Sequence, residues 1–63
     1  MSERFNLFVK LKYASGRIDP RYLLIADIAT REEAERFAHN AVVYNPGVVL
    51  AAWIEPAPKE SNQ

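Results

Sequence analysis

Apolar and polar positions alternate along residues 5 to 13, Phe-Asn-Leu-Phe-Val-Lys-Leu-Lys-Tyr. Phe5, Leu7, Val9, Leu11 and Tyr13 fall on one face, and Asn6, Phe8, Lys10 and Lys12 on the other. A period of two is that of a half-buried β-strand, and Phe8 is the one residue out of keeping with its face. Ala14 to Pro20 holds two turn signals, Ser15-Gly16 and Asp19-Pro20, and reads as a loop. Arg21 to Ile28 reads as a second strand that is apolar on both faces. Tyr22, Leu24, Ala26 and Ile28 make one set, and Leu23 and Ile25 make the other, between Arg21 and Asp27. Strands of this kind sit where both faces are covered.

Thr30-Arg31-Glu32-Glu33 is a capping box, in which the Thr30 hydroxyl accepts from the Glu33 N–H and the Glu33 carboxylate accepts from the Thr30 N–H. The helix that follows carries Ala34, Phe37, Ala38 and Ala41 on one stripe. Arg31, Glu32, Glu35, Arg36 and His39 lie on its wet side, with Glu32 and Arg36 spaced as an i,i+4 ion pair. Val42 to Tyr44 fits a last helical turn or an extended segment. Asn45-Pro46-Gly47 is a turn. Val48 to Glu55 is a third strand, with Val48, Leu50, Ala52 and Ile54 on one face and Val49, Ala51 and Trp53 on the other. Residues 1–4 are expected to be flexible, residues 5–55 to form one domain, and the Pro-containing tail 56–63 to be disordered.

A hairpin, a helix and a third strand make an α+β, two-layer ββαβ sandwich with one helix on one face of a three-stranded sheet. A right-handed crossover makes strands two and three parallel. Strand order 2-1-3 is favoured, with 1-2-3 as the alternative. The long alternating set from Phe5 to Tyr13 should meet the helix, which turns Phe8 away from it. On that far face are expected Leu23, Ile25, Val49 and Trp53, since this choice also places Arg21 and Asp27 in solvent. The alternative for strand two is Tyr22 and Leu24. A contiguous apolar patch of this kind marks an interface.

Composition narrows what such a patch can do. The chain has 63 residues and no cysteine. A domain of about this length buries only about 60% of the surface its unfolded chain exposes, and it usually needs a staple. Disulfides and thiolate metal sites are excluded, which leaves oligomerisation or a partner. Eight basic and eight acidic residues cancel, against the basic excess expected of a nucleic-acid-binding protein. No apolar run reaches the roughly 18 residues of a membrane span, and Met1 to Arg4 is polar, unlike the apolar core of a signal peptide. The expected compartment is the cytoplasm, without membrane association.

No residue set points to catalysis. His39 is the sole histidine; Glu35 is its i−4 neighbour on the polar face of the helix, and no Ser or Cys nucleophile belongs to the helix. Glu32, Glu33 and Glu35 are accounted for by capping and the helix dipole. Asp19 is a turn residue before Pro20. Gly16 and Gly47 are isolated, so no phosphate loop is present. Catalytic residues, cofactor and metal are therefore all expected to be absent. The partner-binding candidates are Phe8, Leu23, Ile25, Val49 and Trp53, with Lys10, Lys12, Arg17 and Arg21 as a basic margin. Basic side chains beside exposed aromatics also fit a single-stranded nucleic-acid platform, which is the second reading.

The layout from Phe5 to Glu55, a basic hairpin, a capped Ala/Glu-rich helix and a closing strand, resembles small ββαβ proteins of phages and mobile elements, among them anti-CRISPR inhibitors. The resemblance is one of layout and carries no functional residue across. It implies a stoichiometric inhibitor that occupies a surface of a host defence complex. The reading of the residues themselves is a protein-binding module that forms a homodimer or docks on a larger complex.

Overall fold

A computed structural model describes residues 3–58 of the chain. Its elements are β1 (Phe5–Lys12), β2 (Ile18–Ile28), α1 (Arg31–Val43) and β3 (Val49–Pro56). The strands form one sheet in the order β2-β1-β3, and β1 is antiparallel to both neighbours. The 2-1-3 order expected from the pattern is the order found. Helix α1 lies on one face, over β3 and β1 more than over β2.

The hairpin loop is shorter than Ala14 to Pro20. The Tyr13 N–H donates to the Arg17 carbonyl at 2.8 Å, and the Gly16 N–H donates to the Tyr13 carbonyl at 2.9 Å. Gly16 sits at φ +92°, where a side chain would be strained. Ile18, Asp19 and Pro20 therefore belong to β2. A proline is tolerated there because β2 is an edge strand.

β2 has 11 residues and β1 has 8, yet their ends pair, Phe5 with Ile28 and Lys12 with Ile18. The excess is taken up at three register shifts. At one of them Asp27 adopts φ 62°, a left-handed conformation that Asp tolerates better than most residues. Arg4 holds it there. Its Nε donates to the Asp27 carboxylate and its Nη2 to the Asp27 carbonyl, both at 2.9 Å, while the Asp27 N–H donates to Asn6 Oδ1 at 3.0 Å.

Two register shifts move residues from the face expected of them. Ile25 pairs with Leu7 and packs on the helix side with Leu7, Ile28 and Ala34. Val49 pairs with Leu11 and is buried with Val9 and Ala41, because β3 shifts by one residue between Leu11 and Lys10. Neither lies on the face away from α1.

The core is thin. Among the described residues Leu7 and Val9 are its only large side chains with no exposure, and Phe5, Ile28, Ala34, Ala41 and Val49 complete the helix side. The small alanines bring α1 close to the sheet. Thr30 caps it, accepting from the Glu33 N–H at 3.1 Å. The reciprocal bond of the capping box does not form among the described residues. The helical ion pair joins Arg31 and Glu35 at 3.2 Å, not Glu32 and Arg36. Val42 and Val43 are helical, and Tyr44 is the C-cap.

The tail begins later than expected. Pro56 closes β3, and the Ala57 N–H donates to the Arg4 carbonyl at 2.8 Å. The expectation of disorder for 59–63, and of flexibility for Met1 and Ser2, falls outside the described residues.

Candidate protein-interaction face

Strand pairing fixes what lies on the sheet face away from α1. Phe8 pairs with Leu23 on one side and Trp53 on the other, so the three form a row across the sheet. Lys10 pairs with Ala51, Asn6 with Glu55, and Lys12 with Ile18. Arg21 shares the face with Leu23, two residues away.

Phe8 is only 6% exposed although no helix covers it. Trp53 stacks beside it, with ring centroids 6.2 Å apart and planes 18° from parallel. The Arg21 guanidinium lies over its ring at 4.0 Å from the centroid. Arg21 then reaches across the central strand to β3. Its Nη2 donates to Glu55 Oε1 at 2.7 Å and its Nε to Oε2 at 3.4 Å, while Trp53 Nε1 donates to the same Oε2 at 2.9 Å. A charged strap thus closes over the aromatic pair and fixes the Trp53 rotamer. The hydrogen bonds from Arg21 and Trp53, with the nearby positive charge, hold the Glu55 carboxyl below its ordinary value of 4.5. The hydrogen bond to Glu55 raises the Arg21 guanidinium.

Of the residues expected to act together, Phe8, Leu23, Trp53, Lys10, Lys12 and Arg21 share this face. Arg21 is at its centre and not at its margin. Arg17 stands apart at the hairpin turn, 5.8 Å over the Tyr13 ring. Ile25 and Val49 are on the other side of the sheet. The apolar surface left open is smaller than expected, because the chain covers Phe8 with its own Arg21. Leu23, paired with Phe8 beside the strap, remains 45% exposed, and Ile18, opposite Lys12 at the hairpin end, 46%. The residue missed was Glu55. It stands two positions after Trp53 on one strand, which places both on one face, and opposite charge at Arg21 was the available signal.

Among the described residues no three His, Cys, Asp or Glu side chains gather as a metal site, and no polar side chain is buried. His39 is exposed on the helix. No described helix is long and apolar enough to cross a membrane. No protein-family model, curated protein or solved structure matches the chain.

Proposed function

We propose that the chain is a non-catalytic protein-binding module that docks through the sheet face away from α1. The observation that carries this reading is the ordered Trp53–Phe8–Arg21–Glu55 cluster with exposed Leu23 beside it. Trp and Arg side chains held in one rotamer lose little entropy on binding, and residues of these types dominate interface hot spots. Lys10 and Lys12 add a positive rim, which steers an acidic partner surface towards the face. The partner in this reading is a larger protein complex, and a chain of this size fits a stoichiometric blocker of the phage inhibitor kind. The same face serves nucleic acid less well, since the Phe8 ring lies under Arg21 and is not free to stack on a base.

The test is affinity capture from the source cell with the wild-type chain and with Leu23→Arg, Trp53→Ala and His39→Ala, each first shown to be folded by circular dichroism. The first two should lose the captured complex, and His39→Ala should retain it. Identical capture by all three variants refutes the face. Salt-dependent binding of single-stranded nucleic acid, abolished by Lys10→Ala with Lys12→Ala, would replace this reading with the other.

A further inference from the structure

The two edges of the sheet are not alike. The β2 edge is interrupted by three register shifts, by Pro20 and by the charges of Asp19, Arg21 and Asp27. These are devices by which proteins keep an edge from pairing with another strand. β3 carries such devices only at its two ends, a register shift near Leu50 and Pro56. From Ala51 to Pro56 it pairs with β1 without irregularity, and its one charge, Glu55, is bound by Arg21 and Trp53.

The hydrogen bonds at the two ends of β3 show which amides are free. The Ala57 N–H donates to the Arg4 carbonyl, and the Lys12 N–H donates to the Val48 carbonyl, both at 2.8 Å. In an antiparallel ladder alternate residues turn towards the partner strand. Glu55, Trp53 and Ala51 therefore bond to β1, and the N–H and C=O groups of Ala52 and Ile54 point outward. Among the described residues nothing bonds to them. The window is bounded by the register shift near Leu50 and by Pro56, which has no N–H. Its centre is Trp53.

We infer that the outer edge of β3 pairs with β3 of a second copy, antiparallel, about a two-fold axis at Trp53. A strand that needs an extended, apolar partner with outward amides at two alternate positions is here its own match. Ala52 of each copy meets Ile54 of the other in a hydrogen-bonded pair, and Trp53 meets Trp53 between them. Ala51 falls opposite Glu55, and Leu50 opposite Pro56, so no like charges face each other. Such an isologous contact joins the two sheets into one and makes a continuous aromatic row of both Phe8–Trp53 stacks. It also supplies the staple that a cysteine-free chain with this thin a core otherwise lacks. The inference stands independently of the docking face, since it uses a backbone edge.

Sedimentation equilibrium from micromolar to millimolar concentration tests it, together with amide hydrogen exchange at both ends of that range. Wild type should approach twice 7.2 kDa, with the Ala52 and Ile54 amides gaining protection as it does. Ala51→Glu should weaken the dimer roughly 2- to 30-fold by opposing Glu55 of the second copy, and its new carboxylate beside Lys10 keeps the monomer folded. Ala51→Lys should not weaken it, nor should Leu23→Arg, which disables the proposed docking face alone. A mass of one chain at every concentration overturns the inference. So does a dimer in which the Ala52 and Ile54 amides exchange at monomer rates, or one that Ala51→Glu leaves unchanged.

Discussion

Replacing Phe8 by alanine tests whether the face away from α1 is truly sealed by its own side chains. Phe8 is 6% exposed, yet it is covered only by Trp53, by the Arg21 guanidinium and by the neighbouring strands. Removing a buried phenylalanine costs about 3–5 kcal/mol, part of it for the cavity left behind. Here the cavity opens towards solvent once Arg21 has nothing beneath it, so the cavity part is small and the low end, about 3 kcal/mol, applies. A 63-residue domain at typical stability per residue has roughly 3–9 kcal/mol in all. The variant therefore loses a third or more of its stability, and its Tm should fall by about 12–24 °C. Urea titration followed by far-UV circular dichroism gives the stability change. Trp53, the sole tryptophan, reports the site itself by fluorescence. Leu23→Ala is the control, since Leu23 is 45% exposed and its truncation should cost ~1 kcal/mol or less. If the two variants differ by less than ~1 kcal/mol, Phe8 is not held in a closed cluster, and the argument for an ordered Trp53 fails with it.

Acid should act through Glu55. Its folded carboxyl lies below 4.5, so the stability it contributes is complete above that pH and is lost as pH falls through the lower folded value; Glu55→Gln should flatten the fall in urea midpoint below pH 4.5. Thr30→Ala removes the hydroxyl that accepts from the Glu33 N–H and should cost about 1 kcal/mol in the same titration, with no change in Trp53 fluorescence of the folded state. At Asp27, alanine should be worse than glycine by about 1 kcal/mol, because both lose the Arg4 ion pair and only glycine relieves φ 62°. Equal stability of the two Asp27 variants would mean that the backbone there relaxes to an ordinary bulge.

The helix, the cap and the central strand were legible in the sequence because each depends on local spacing alone. The Thr30 cap needs only Glu33 three residues on, and β1 alternates from Phe5 to Leu11 with Phe8 as its one exception. The face of an outer strand is a different matter. Alternation assigns a side chain to a face only relative to its neighbours, and every register shift resets the count. β2 carries three shifts and β3 carries one, and the residues misplaced by simple alternation, Ile25 and Val49, lie next to such shifts. No local signal marks them. Pro20 looks like a turn residue although it lies in an edge strand, and Asp27 looks like a strand end although it is a left-handed bulge residue. Phe8 shows the opposite case. It was conspicuous as an aromatic on a polar face, and its surroundings include two of the chain's charged residues, Arg21 and Glu55, from the two outer strands. Those charges are 34 residues apart in sequence, and each alone looks like ordinary surface. What brings them together is the strand order, with β1 between their strands. Arg21 and Glu55 can bridge only by passing over the residue that β1 places between them. An aromatic there gives the guanidinium a ring to lie on, and a lysine would repel it. The exception to alternation in β1 and the pairing of distant charges thus have one cause, which the order 2-1-3 supplies and the order 1-2-3 does not.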